Sequence, residues 1–155
     1  MAAEQFVRAT LLAALLPTAA LGACSHRETA LERQGKDLFA GAVPLKARMV
    51  GHDFVLPPSV VRCQNCHRVS EQPAPVATGP SPGLADKLGP VLSRQSLTEF
   101  RQRRGGPFSN YDTKRFCRAL RDGIDPAYVM LPSTMPRYAV TKQECQALWA
   151  YLVQP

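Results

Sequence analysis

Apolar residues recur at helical spacing in several stretches of this chain, and each stretch has a capping signal. The clearest is near the C-terminus. Cys145, Leu148, Trp149 and Leu152 fall at i, i+3, i+4 and i+7, which places them on one face of a helix. Thr141-Lys142-Gln143-Glu144 precedes them as a T-x-x-E box, whose side chains satisfy the free N–H groups of a helix start. Phe116, Ala119 and Leu120 define a second apolar face, with Asp112 or Thr113 as its cap, Gly123 as its stop and Asp125-Pro126 as the turn that follows. A third helix is expected from about His26 to Phe39, opened by Ser25-His26-Arg27-Glu28 and ended by Gly41, with Leu31, Leu38 and Phe39 apolar. Gly35 lies inside it. A mid-helix glycine is less favourable than alanine by about 1 kcal/mol, which close approach of another helix would offset. Ser96-Leu97-Thr98-Glu99 predicts a short fourth helix running to Arg103. Arg101, Arg103 and Arg104 then read as a solvated helix end complementing the dipole, or as a docking patch.

Between these stretches the chain is irregular. Pro44 to Pro58 carries no period, and residues 69–92 are rich in Pro, Gly and Ser, a surface excursion to which no chemistry is assigned. No segment alternates convincingly as a strand. The fold class is therefore all-α with long irregular loops.

The first 23 residues read as an address and not as part of the fold. Arg8 closes a short leading region, Ala9 to Leu16 are apolar, and Pro17 and Thr18 interrupt the run before it could span a bilayer. Leu21-Gly22-Ala23-Cys24 resembles a bacterial lipoprotein box, in which Cys24 becomes the first mature residue and carries lipid. Simple cleavage after Ala23, giving a soluble periplasmic protein, is the alternative. Either way the expected organisation is a signal peptide over 1–23 and one domain over 24–155, outside the cytoplasm. The formal charge of +7 on 155 residues suits acidic partners or anionic membrane surfaces. Nucleic acid is set aside, because the basic residues are dispersed and no nucleic-acid motif accompanies them.

Cys63-Gln64-Asn65-Cys66-His67 carries the candidate chemistry. C-x-x-C-H is the spacing of covalent c-type haem attachment. Two thiols three positions apart can add to the vinyl groups on one porphyrin edge, and the adjoining imidazole can ligate the iron. A thioredoxin-like motif would need a βαβ context, and a zinc site would need a second pair of ligands; neither is present. Met135-Pro136 is the better candidate for the other axial position: it sits in an irregular segment that Pro136 stiffens, just before the last helix. Met130 is expected in the core, and His26 and His52 are the only other histidines. Cys117 and Cys145 form an even pair that bridges in an oxidising compartment, or else Cys145 is a buried thiol.

Taken together, Gly35-x-x-x-Phe39, Cys63-x-x-Cys66-His67, Met135-Pro136-Arg137-Tyr138 and Leu148-x-x-Tyr151-Leu152 resemble the class I c-type cytochromes, in particular small monohaem carriers of proteobacteria. The resemblance covers about Gln34 to Leu152. It implies a class I cytochrome c fold, with helices packed around one covalently bound haem and the first and last helices crossing at a glycine–aromatic contact. By the same match Cys63 and Cys66 form thioethers, His67 is the proximal ligand and Met135 the distal one. Arg137 and Tyr138 are candidates for hydrogen bonds to a propionate. The stretch from Arg68 to Pro107 is longer than in the smallest members, and Cys117 and Cys145 are not part of the general pattern. The expected role is electron transfer between a periplasmic dehydrogenase or respiratory complex and a downstream acceptor, with redox partners that present acidic faces. The alternatives are a haem subunit of a larger dehydrogenase, and a peroxidase or ligand-binding haem protein in which Met135 leaves the iron.

Overall fold

The first helix, α1 (Ala30–Ala40), begins where a threonine hydroxyl and a glutamate carboxylate exchange hydrogen bonds. Thr29 Oγ1 accepts from the Glu32 N–H at 3.2 Å and Glu32 Oε2 accepts from the Thr29 N–H at 2.6 Å. The expected start at His26 is thus replaced by a second S/T-x-x-E box four residues on, and Arg27 to Thr29 are not helical. The computed structural model describes residues 27–70 and 89–155, so Ser25, His26, Cys24 and the whole expected leader lie outside the described residues. Gly41 ends α1 in the left-handed conformation (φ 77°), which glycine adopts without a Cβ clash.

Among the described residues three further α-helices follow: α2 (Arg94–Thr98), α3 (Thr113–Asp122) and α4 (Lys142–Leu152). The caps of α3 and α4 are the expected ones. Asp112 Oδ1 accepts from the Arg115 N–H at 2.7 Å, Gly123 closes α3 at φ 67°, and Thr141 and Glu144 form a reciprocal capping box. α1 crosses α4 at Gly35. A Cβ there would collide with the Ala147 carbonyl oxygen and lie 2.7 Å from Tyr151 Cβ, so only glycine permits the crossing. Phe39 and Tyr151 meet beside it with ring centroids 5.6 Å apart. Leu38, Leu148, Cys145 and Leu152 fill the core, and Trp149 stacks on Phe116 at its edge, centroids 5.6 Å apart. Cys117 and Cys145 form a disulfide that ties α3 to α4 with Cα atoms 5.7 Å apart.

Two departures from the expected architecture shape the rest of the molecule. The first is that short strands exist. β1 (Ala47–Arg48) pairs antiparallel with β4 (Arg137–Tyr138), in register Ala47↔Tyr138. β2 (Arg101–Gln102) pairs antiparallel with β3 (Phe108–Ser109), in register Gln102↔Phe108. At two residues each they are too short to show alternation in sequence. The second departure is that α2 starts and ends earlier than expected. Ser93 Oγ is its cap, accepting from the Ser96 N–H at 3.1 Å, and the Ser96 hydroxyl turns inward to donate to the Val91 and Ser93 carbonyls, both at 2.8 Å. The chain leaves the helix at Glu99 and forms the β2–β3 hairpin, turned by Arg104 (φ 50°) and Gly105 (φ 75°). Arg103 is therefore no solvated helix end. Its guanidinium donates to the carbonyls of Ser96, Leu97 and Glu99 at 2.8–3.2 Å and to that of Ser109 at 3.3 Å, binding the hairpin to the end of α2. Among the described residues, no helix is long and apolar enough to cross a membrane.

Candidate functional site

A 3-10 turn over Cys63–Asn65 presents the C-x-x-C-H motif. The Cys63 carbonyl accepts from both the Cys66 N–H (3.1 Å) and the His67 N–H (2.9 Å), which folds the five residues onto themselves. Two side chains between the cysteines fix the turn to its surroundings. Gln64 donates to the Ala40 carbonyl at the end of α1 (3.0 Å), and Asn65 donates to the Ser59 and Val60 carbonyls at 2.9 and 3.1 Å. Cys63 is buried and Cys66 half-buried, and neither is bridged. Burial pushes the Cys63 thiol up to about 11, so it is a neutral thiol at ordinary pH.

His67 is oriented from the far side of the proline-rich excursion. Its Nδ1–H donates to the Pro90 carbonyl at 2.8 Å, which leaves Nε2 as the ring nitrogen with a free lone pair. Burial holds the imidazole below its ordinary value, and the Pro90 carbonyl partly opposes this. Gly89 makes the contact feasible: a Cβ there would come within 2.5 Å of His67 Cε1 and 2.7 Å of the Cys66 carbonyl oxygen. The Leu92 N–H donates to the Arg68 carbonyl at 2.7 Å, so the chain returns beside the motif it left. Residues 89–92, expected to carry no chemistry, are thus part of the site. Gly89-Pro90 is one of several Pro/Gly pairs in that stretch, and nothing in the sequence marks it out.

Cys63, Cys66, His67 and Met135 all line one cavity of roughly 740 Å³. Its walls include Val61, Leu92, Leu97 and Leu131, and the hairpin contributes Arg101 to Arg104. That volume falls within the range of about 300–1,000 Å³ usual for cofactor pockets. Met135 is held by its own loop: its N–H donates to the Pro132 carbonyl at 3.1 Å. The Arg137 guanidinium donates to the Met135 carbonyl at 2.5 Å and the Leu131 carbonyl at 3.1 Å, gripping both ends of that loop. A Cβ at Gly123 would collide with this guanidinium. Arg137 is not among the cavity's lining residues, so it acts on the methionine from behind and does not face the cavity. Tyr138 does line the cavity, and its hydroxyl donates to the Val61 carbonyl at 2.8 Å. Among the described residues, the cations that do line it beyond the motif are Arg62, Arg101, Arg103 and Arg104.

The remaining candidates stand elsewhere. Met130, expected in the core, is 56 % exposed and pairs through its backbone with Ile124. His52 is exposed and stacks on Phe54, away from the cavity. Asp125 was read only as a turn residue, yet it is 1 % exposed and lines the cavity. Its Oδ1 accepts from the Val129 N–H at 2.8 Å while Oδ2 has no protein partner. Among the described residues, no group of three or more His, Cys, Asp or Glu side chains is disposed to hold a bare metal ion. The donor set does fit haem: two unbridged thiols, an imidazole whose second nitrogen is free and a thioether, all on one largely apolar cavity.

No family model, curated protein or solved structure matches the chain, so the chemistry of this cavity carries the functional reading.

Proposed function

We propose that this chain is a class I c-type cytochrome, an electron carrier and not an enzyme, which works in the bacterial periplasm tethered by lipid on Cys24. The observation that supports it best is the convergence of Cys63, Cys66, His67 and Met135 on one cavity, with His67 Nδ1 already committed to a carbonyl. Cys63 and Cys66 would hold the porphyrin covalently, and His67 Nε2 and Met135 would ligate its iron. When bound, haem supplies a one-electron ferric/ferrous couple, and a His/Met pair favours the ferrous form relative to two histidines.

The residues of the chain have three tasks in this reading. The Pro90 carbonyl keeps the imidazole proton on Nδ1 and so aims the lone pair of Nε2. Arg137 keeps the Met135 loop closed by bonding its two ends. Val61, Leu92, Leu97 and Leu131 exclude water, which protects the couple from side reactions and lowers the local dielectric. No proton is transferred and no substrate bond breaks, so no general acid or base is required.

Expression of the full chain in a host competent in cytochrome maturation tests this. The expected product is red, retains haem on a denaturing gel, and in the ferric state shows the near-infrared charge-transfer band of thioether ligation. Met135→Ala should keep the covalent haem and lose that band. A colourless product would overturn the proposal.

A further inference from the structure

The outer face of the β2–β3 hairpin has no task in the cavity. Phe100 and Phe108 are 67 % and 60 % exposed, and their rings lie 5.9 Å apart. Side chains alternate across a strand, and Gln102 pairs with Phe108. Phe100 and Phe108 therefore share one face of the hairpin. Arg101, Gln102 and Arg104 line the cavity and Phe100 and Phe108 do not, so the hairpin walls the cavity while it carries the aromatic pair to solvent. Exposing adjacent large aromatics is unfavourable at about 25 cal/mol per Å² of apolar surface. Nothing within the hairpin relieves this.

The patch is also rigid. Arg103 bonds to four backbone carbonyls across α2 and β3, and its guanidinium lies 5.0 Å from the centre of the Tyr111 ring. Arg101 and Arg104 stand exposed beside the aromatics, and among the described residues neither has an ion-pair partner. Arg104 sits at positive φ at the hairpin tip. The local charge is positive: three arginines face one buried carboxylate, Asp125, and one exposed one, Glu99. A fixed aromatic centre flanked by unpaired guanidinium groups has the anatomy of a protein interface, where aromatics and arginine dominate the energetics and charge steers the encounter.

We infer that the hairpin's aromatic face, together with Arg101 and Arg104, which line the cavity yet stay exposed at its rim, is the docking surface for an acidic redox partner protein, whose apolar patch covers Phe100 and Phe108 while its carboxylates meet the two arginines. The inference rests on the proposed function for its redox meaning. The same hairpin walls the cavity, so a partner seated there is brought against the cofactor's compartment.

The test uses the full chain and reduced flavodoxin, employed as an acidic one-electron donor protein, in binding isotherms and stopped-flow kinetics over a salt series. Wild type should bind with an affinity that falls as salt rises. F100S/F108S should weaken binding and slow electron uptake at least tenfold, while its absorption spectrum and its reduction by a small neutral hydroquinone match wild type. R101E/R104E should abolish the salt dependence of binding, and R101K/R104K should restore it. Wild-type affinity in F100S/F108S, or salt-independent binding by wild type, would overturn the inference. So would a wild-type dimer that F100S/F108S converts to monomer, because the face would then belong to a second copy of the chain. The isotherm needs no haem, so a colourless chain sinks the proposed function and a silent variant sinks the docking surface.

Discussion

Single atoms decide much of this site. Gly89 is the most constrained position around the imidazole, because a methyl group there meets both the His67 ring and the Cys66 carbonyl. Gly89→Ala is expected to push the 89–92 segment off the histidine and break the Nδ1–Pro90 bond; under the haem reading this appears as a changed Soret and near-infrared spectrum with covalent haem retained. Tyr138 offers a second check. Its hydroxyl satisfies the buried Val61 carbonyl, so Tyr138→Phe should destabilise the chain by about 1–3 kcal/mol in denaturant unfolding. Burial also raises the Tyr138 and Tyr111 phenols above the ordinary value of 10.0. The folded chain then keeps protons that the unfolded chain releases above that pH, so stability is fully present below about pH 10 and declines as pH rises further. Tyr138→Phe should flatten part of that alkaline decline, and an unchanged slope would remove the assignment. The cysteines and histidine stand together in one motif, and Met135 stands in an irregular segment just before the last helix. Gly89 and Pro90 carry no such mark, because only the folded chain brings them to the imidazole; His67 and Pro90 are 23 residues apart.

At the level of elements, local signals were legible and long-range ones were not. The caps of α3 and α4 stand in the sequence as Asp112 with Gly123 and Thr141 with Glu144, because each bond spans only a few residues. The start of α1 is ambiguous in sequence because two S/T-x-x-E boxes stand end to end, and pattern alone does not rank Thr29 with Glu32 above Ser25 with Glu28. The hairpin was unreadable for a different reason. Arg103 reaches back to the carbonyls of α2, and that tertiary bond, not local propensity, turns Arg101 and Gln102 from helix to strand. The α1–α4 crossing at Gly35 was foreseeable from the misfit of a glycine in mid-helix. Gly35→Val should separate the two helices and lower stability by about 1–3 kcal/mol or more, read in thermal or denaturant unfolding. Thr141→Ala, which removes both hydrogen bonds of the Thr141 hydroxyl and keeps the Thr141 N–H to Glu144 bond, should lower it by about 1 kcal/mol.

Across the molecule, α2, the hairpin and the connecting loops line a cavity whose chemistry comes from distant parts of the chain, while α1, α3 and α4 lend it no lining residue. The motif supplies thiols and imidazole, β1 and β4 bring the Met135 loop alongside, and β2–β3 forms the wall that also faces outward. The disulfide adds about 3–4 kcal/mol by closing a loop of 28 residues in the unfolded chain. That bond has a further consequence for how the chain matures. Of the six single disulfides that Cys63, Cys66, Cys117 and Cys145 could form, only the one seen here leaves both Cys63 and Cys66 as thiols. Oxidation of the nascent chain is therefore a sorting problem, and Cys117 protects the motif by claiming Cys145, which then disappears into the core. Cys117→Ser would release Cys145 to capture a motif sulfur. Its expected signature is a fraction with a misplaced cross-link on non-reducing gels, which under the haem reading is haem-free, rescued when Cys145 is also replaced by serine.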